Sequence, residues 1–181
     1  MNVTETKLAG VLIIEPKVFG DARGFFKETF QAERYREAGV EYTFVQDNYS
    51  RSQKGVLRGL HFQITKPQGK LVSCPKGAVY DVVVDIDPES TTYGQYVGVE
   101  LTEESHKQLW VPPGYAHGFC ALSETADFQY KCTDYYDPSD EGGVIWNDPD
   151  LTIEWPIQQP ALSEKDQKLP TLAQIRTNGR V

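Results

Sequence analysis

The chain has 181 residues, 12% of them aromatic, and a formal net charge of −8. A length of this order most simply makes one domain, residues 1–181, with enough volume to bury its own core. No apolar run is long enough to cross a bilayer as a helix, and the acidic balance argues against nucleic acid or an anionic membrane as partner.

A small anionic ligand stays open, because it feels the few cations lining its own pocket more than surface charges screened over about 8–10 Å. The start, Met1-Asn2-Val3-Thr4-Glu5-Thr6, lacks the basic-then-apolar pattern of a signal peptide. Cys74, Cys120 and Cys132 cannot all pair, fit no zinc spacing, and sit in or beside apolar runs. Free buried thiols in a reducing cytoplasm are the expectation.

In chain order, Leu12–Ile14 is a short apolar run closed by Pro16. Asp21-Ala22-Arg23-Gly24 has turn composition, and Phe25–Phe30 reads as the strand after it. Gln31–Ala38 is the best helix candidate, with Gly39 suited to a C′ position. From Tyr42 to Cys132 the pattern is almost all strand. Segments Thr43–Asn48, Val56–Phe62, Lys70–Cys74 and Ala78–Asp85 come first, then Tyr96–Leu101, Gln108–Val111, Gly118–Leu122 and Ala126–Cys132.

Lys54-Gly55, Pro67-Gln68-Gly69, Pro75-Lys76-Gly77, Asp87-Pro88 and Pro112-Pro113-Gly114 punctuate these strands as turns. Many short strands at such spacing predict a β-sandwich or barrel rather than a βαβ sheet. From Asp134 on the pattern is looser. It ends in a short helical candidate at Ser163–Gln167, with Ser163 as N-cap and Asp166 at N3.

Gly55–Gln63 stands out within that framework. It reads as a strand, yet carries Arg58 and His61 where a core strand would carry neither. A buried guanidinium needs an anion, and an imidazole exchanges protons near pH 6.5, roughly. Strict alternation sends Arg58 and His61 to opposite faces; a bulge at Gly59 would re-aim one of them.

The segment Pro112-Pro113-Gly114-Tyr115-Ala116-His117 delivers a second imidazole onto a strand start, as in half of the cupin metal pattern. The other half, a His-x-His followed by Glu, is replaced by His61-Phe62-Gln63. That ligand set is incomplete, so no metal is expected, and His117 is expected as a ligand-contacting or structural residue. His106, in a charged loop, reads as solvated.

The ordered motifs resemble the dTDP-4-dehydrorhamnose 3,5-epimerase family. They are Phe19–Phe26, Phe44–Asn48, Val56–Gln63, Gln68–Val72, Gln108–Pro112 through His117-Gly118-Phe119, Tyr130-Lys131, Tyr135-Tyr136, Gly142–Asp148 and Leu162–Asp166, spanning about Ile13 to Pro170. The resemblance implies an all-β, cupin-type jelly roll (a double-stranded β-helix) with a few short peripheral helices, acting as a homodimer without metal or organic cofactor. It implies inversion at C3 and C5 of a dTDP-4-keto-6-deoxy-hexose.

Both carbons flank a ketone, so their hydrogens are acidified through an enolate. One group must remove a proton and another must return one from the opposite face. By resemblance His61 is the base, Tyr130 the acid and Lys70 the cation at the C4 oxygen. Asp166 is the family's carboxylate partner for His61, with Asp81 a second candidate. Arg23 and Arg58 take the diphosphate with Lys165. Tyr136 stacks on thymine, and Glu28, Gln46, Asp47, Asn48, His117 and Glu141 are polar contacts. Arg23 and Glu28, early in the chain, are expected to reach a neighbouring subunit's site.

Read without the resemblance, Tyr130 is a core aromatic, Asp166 an exposed helix-start acid and Lys70 an ordinary strand lysine. Rival functions are a single-centre epimerase of another dTDP-4-keto-6-deoxysugar, a non-catalytic sugar-nucleotide-binding cupin, and a metal-dependent cupin enzyme.

Overall fold

The computed structural model describes residues 1–177. The first elements are β1 (Asn2–Glu5), β2 (Leu12–Glu15), β3 (Val18–Asp21), β4 (Gly24–Lys27) and α1 (Ala32–Glu37). The central run is β5 (Gln46–Gln53), β6 (Leu57–Gln63), β7 (Lys70–Lys76), β8 (Ala78–Asp85), β9 (Tyr96–Thr102), β10 (Gln108–Val111), β11 (Tyr115–Ala121) and β12 (Thr125–Cys132). β13 (Glu141–Gly143), a 3-10 turn at Asp166–Lys168 and α2 (Leu172–Thr177) follow.

The strands form a six-stranded sheet in the order β1-β2-β10-β7-β12-β5 and a five-stranded sheet in the order β13-β6-β11-β8-β9, with β3-β4 as a separate hairpin. This is the cupin-type jelly roll that the resemblance implies, and it is consistent with the sandwich or barrel that the strand-rich pattern predicts.

The central strands of both sheets are covered on both faces, which is why several of them read as continuous apolar runs. Between the sheets, Val72, Val79, Val83, Leu101, Leu109 and Phe128 share one core. Outside the five-stranded sheet, Leu60, Val82, Val84 and Val144 pack beneath Leu172 and Ile175 of α2. Outside the six-stranded sheet, Leu12, Ile14, Leu71 and Trp110 pack under Tyr35 of α1. Helix α1 begins at Gln31, whose side chain accepts the Arg34 N–H, and stops at Gly39 with φ +99°.

Several boundaries differ from the sequence reading, each for a local reason. Strand β5 starts at Gln46, and Thr43–Val45 lie outside it. Phe44 turns instead to the α1 cluster, edge-on to Trp110 at 5.9 Å. The strand runs on through polar Tyr49–Gln53 because its inner face lines a cavity, so apolar patterning does not mark it. Strand β4 ends at Lys27; Phe30 leaves it to pack on Tyr35 and Phe44.

Strand β7 continues through Pro75 and Lys76, so the turn falls at Gly77, φ +76°. The Ser163–Gln167 helix is only a 3-10 turn, although Ser163 Oγ accepts the Asp166 N–H at 3.1 Å as a cap would. Strand β13 and helix α2 are too short to announce themselves. His106 is half-buried rather than solvated: its ring lies 4.7 Å from that of Phe25, and Lys27 Nζ donates to its Nδ1 at 3.1 Å. All three cysteines are free and buried.

Strand β6 carries the bulge that Gly59 permits. Against β11, His61 pairs with His117 but Arg58 pairs with Phe119, so three steps on β6 match two on its neighbour. The extra residue turns Arg58 to the same side as His61, and both line one cavity. Gly59 has φ +123°, and a Cβ there would lie 2.6 Å from Gly118 Cα. Only glycine fits this close approach of β6 and β11.

Candidate active site

The cavity, about 460 Å³, opens between the two sheets. Strand β6 supplies Arg58 and His61, β7 supplies Lys70, β11 His117, β12 Tyr130, and β5 Gln46 and Asn48. Tyr136, Glu141, Lys165 and Asp166 close the wall from the C-terminal part. The inward positions follow from strand alternation: Leu60 and Phe62 face the outer core while His61 faces in, and Leu71 faces out while Lys70 faces in.

His61 Nε2 lies 2.6 Å from Asp166 Oδ1. Burial works to raise the Asp166 carboxyl, but hydrogen bonds with the His61 ring, Ser163 and the Gly59 backbone outweigh it and hold it below its ordinary 3.8. An ionised carboxylate therefore faces the imidazole, which fixes the ring's orientation and stabilises an imidazolium when one forms. Asp81, the other sequence candidate, serves His117 instead, at 2.9 and 3.0 Å from Nε2. Both members of that second pair are buried.

A second carboxylate, Glu141, lies 3.7 Å from His61 Nδ1. Burial works to raise it, and its ion pair with Lys165 and the hydrogen bond from Tyr136 bring it below its ordinary value. Tyr136 Oη donates to Glu141 Oε2 at 2.6 Å, and that bond, with burial, pushes the phenol up to about 12.

Tyr130 enters from the opposite sheet, its ring 5.9 Å from that of Phe128. Its hydroxyl makes no hydrogen bond to any described group, and burial raises its pKa, so it stays protonated and available as a donor. Burial lowers the Lys70 ammonium, opposed by the nearby carboxylates of Glu141 and Asp81. A cation in such surroundings acts strongly on any charge that develops nearby. Arg58 donates from Nε to Ser52 Oγ at 3.1 Å, and its terminal nitrogens bond to none of the described residues.

Three expected contacts lie elsewhere. Asp47 alternates to the outer face of β5, where it pairs with Lys131 at 2.9 Å. Arg23 sits at the tip of the β3–β4 hairpin, exposed and paired with Asp21. Glu28 pairs with Arg34 beside a separate cavity of about 220 Å³.

Sequence reasoning missed Gln63, whose Nε2 donates to Lys66 O at 2.7 Å and whose Oε1 accepts the Asp137 N–H at 2.8 Å. Gln63 thereby ties down the loop that presents Tyr136. Gln46 helps, accepting the Tyr136 N–H at 3.0 Å. A glutamine two residues after a strand histidine was the available signal. Among the described residues, no group of three or more His, Cys, Asp and Glu side chains could hold a metal ion. No described helix is long and apolar enough to cross a membrane.

A jelly roll whose cavity sets an imidazole–carboxylate pair against a phenol and a half-buried lysine is the scaffold of an enzyme that moves protons on carbon. The profile described as dTDP-4-dehydrorhamnose 3,5-epimerase matches residues 5–174, and the chain belongs to that family of isomerases. It is 56% identical over 177 residues to the dTDP-4-dehydrorhamnose 3,5-epimerase of Salmonella typhimurium, covering 96% of this chain and 97% of that protein. With the enzyme of the same description from Escherichia coli K12 it shares 51% over 178 residues, covering 97% and 96%. The crystal structure of dTDP-6-deoxy-D-glucose-3,5-epimerase from Legionella pneumophila, in complex with dTDP-4-keto-L-rhamnose, superposes with a TM-score of 0.95 at 54% identity, covering 98% of this chain and 95% of that one.

Proposed function

We propose that this chain inverts C3 and C5 of dTDP-4-dehydro-6-deoxy-D-glucose to give dTDP-4-dehydro-β-L-rhamnose, each residue acting as follows. The observation that carries the reading is the convergence of the His61–Asp166 pair with Tyr130 and Lys70 on one cavity. His61 removes the proton next to the C4 ketone, and Asp166 stabilises the imidazolium that results. Lys70 meets the negative charge that grows on the C4 oxygen. Tyr130, protonated and on the other sheet, returns a proton from the opposite face; solvent then takes the proton from His61 and restores the one on Tyr130, and the cycle repeats at the second carbon.

The nucleotide half fits the remaining wall. Arg58 and Lys165 take the diphosphate, and Tyr136 stacks on thymine, with Gln46, Asn48, His117 and Glu141 as polar neighbours. Tyr136 is half exposed and fixed through Glu141 and Gln63, which favours a platform for a flat base.

The chain acts as one domain and as a homodimer in the cytoplasm. Two features support the dimer. Arg23 and Glu28 point away from this chain's own cavity, and Phe19, Phe25 and Phe26 beside Arg23 are 53%, 62% and 69% exposed. A second subunit covering that hairpin would bury the aromatics and deliver Arg23 and Glu28 to its own site. The mechanism uses no metal or cofactor, in keeping with two histidines that each already bind a carboxylate.

The test is product analysis by NMR after incubation with dTDP-4-dehydro-6-deoxy-D-glucose in deuterated buffer. Deuterium at both C3 and C5 of an L-configured product is expected. Deuterium at one carbon only would make the protein a single-centre epimerase, and none would remove the reading.

A further inference from the structure

The β3–β4 hairpin pairs with neither large sheet. Among the described residues, one direct hydrogen bond ties Val18–Lys27 to the rest of the chain: Lys27 Nζ donates to His106 Nδ1 at 3.1 Å. An ammonium has donors only, so Nδ1 is the acceptor and the ring proton sits on Nε2. The Phe25 ring lies 4.7 Å from the imidazole, and Lys27 Nζ stands 6.0 Å over the same phenyl ring. The chemistry described above uses neither His106 nor Lys27.

His106 stands on a well-bonded turn. The Ser105 N–H donates to Thr102 Oγ1 at 3.0 Å, and the Thr102 N–H donates to Ser105 Oγ at 3.3 Å. The His106 N–H closes the turn on Thr102 O at 3.2 Å. His106 itself holds φ +55°, a conformation that a residue other than glycine keeps where its surroundings fix it. The turn leads into β10, whose Gln108 accepts from Tyr35 Oη at 2.6 Å and donates to Thr29 O at 2.8 Å. The Lys27–His106 bond therefore joins a hairpin outside both sheets to the body of the jelly roll. Arg23 lies four residues from Lys27, roughly 13 Å along a strand, so a swing at the base is magnified at the tip.

We propose that His106 and Lys27 form a latch that aims the β3–β4 hairpin, and so places Arg23 and Glu28 in the neighbouring subunit's site. Both act as positioning residues, and the assignment rests on the dimer of the proposed function. The latch needs a neutral imidazole. A protonated ring cannot accept, and it sets a second cation against Lys27. The charged groups on the elements that meet there are Lys27 of β4, Glu103, Glu104 and Lys107 of the turn, and Glu15 of β2, which pairs with Lys107. Burial and the charge of Lys27 hold the imidazole below its ordinary 6.5, and Glu104 opposes them. The contribution of the latch is complete above about pH 6.5 and is lost as the pH falls through that lowered value.

The experiment combines hydrogen exchange of residues 18–27 with steady-state kinetics in three variants. His106→Gly removes the ring and suits φ +55°. Lys27→Met removes the donor and keeps the stem. His106→Asn puts an uncharged acceptor where Nδ1 lies. At about pH 7.5, the first two should lose roughly tenfold in hairpin protection and raise KM roughly three- to tenfold with kcat kept. His106→Asn should match wild type. Between about pH 7.5 and 5.5, wild type should lose protection beyond the change in intrinsic exchange, and His106→Asn should not. Mixed with a large excess of His61→Asn chains, His106→Gly chains should regain the wild-type KM, because each working site then takes its hairpin from an intact latch. Turnover by wild type and its sedimentation as a dimer report on the proposed function separately. Unchanged protection in His106→Gly and Lys27→Met, lost protection in His106→Asn at neutral pH, a fall in kcat in place of a rise in KM, or a raised KM that persists in mixed dimers would each overturn the latch. A monomeric wild type would overturn delivery to a second subunit whatever the exchange shows.

Discussion

Replacing Tyr130 by Phe separates proton removal from proton return. The ring sits against Phe128 at 5.9 Å and stays in place, while the hydroxyl that is lost has no hydrogen-bond partner among the described residues. No buried group is orphaned, so stability should change by less than about 0.5 kcal/mol. Affinity for dTDP should also hold, since Arg58, Lys165 and Tyr136 are untouched. The chemical loss is that of a general acid, about 10²–10⁴-fold in product formation.

Deprotonation is a different matter. His61, Asp166 and Lys70 remain, so a proton can leave, exchange with solvent on His61 and return to the face it came from. In heavy water the variant should label recovered substrate at C3 or C5 while making little L-configured product, both read by NMR. Product at the wild-type rate would make Tyr130 a packing residue. A variant that binds dTDP normally yet neither exchanges nor inverts would place Tyr130 in deprotonation itself and refute the division of roles.

Other consequences are as direct. His61→Asn should cut kcat by about 10²–10⁴-fold with dTDP affinity kept, and retention of more than about a tenth of the rate would remove His61 as base. Gly59→Ala should destabilise by at least about 2 kcal/mol, from a Cβ 2.6 Å from Gly118 Cα at φ +123°, and an unchanged urea midpoint would disprove the close approach. Asp166 and Glu141 titrate below their ordinary 3.8 and 4.5, so the stability they add is complete above about pH 4.5 and is lost as the pH falls through their lowered values. The acid limb of unfolding should therefore be shallower in Asp166→Asn, and an identical limb would contradict the pairing. Inactive Arg23→Ala and His61→Asn chains, mixed and re-formed as dimers, should regain part of the activity, and strictly additive inactivity would confine Arg23 to its own subunit. Exhaustive chelation should leave turnover intact, whereas loss restored by one divalent ion would overturn the metal-free mechanism.

The architecture was legible in the sequence wherever burial imposes a period. The run Ala78–Asp85 and the segment Gln108–Val111 show as strands because both their faces are buried, and helix α1 shows through its formers and Gly39. The same logic hid β5, whose inner face is polar because it lines the cavity, and β13 and α2, whose few residues carry no period. Residue types pointed to the chemistry: an imidazole and a guanidinium in an apolar strand are out of place unless they face something. Only the tertiary structure decided how they face it. Alternation placed Arg58 and His61 on opposite sides, and the extra residue at Gly59 brought them to one.

The choice of carboxylate was also tertiary. The resemblance names Asp166 as the partner of His61, and the chain alone leaves Asp81 open as a second. The pairing of β8 with β11, which sets Asp81 and His117 two positions apart in register, gave Asp81 to His117, and a turn more than a hundred residues away gave Asp166 to His61. Asp47 looked like part of the Gln46–Asn48 contact until the pleat turned it outward, because neighbours on a strand share a motif but not a face.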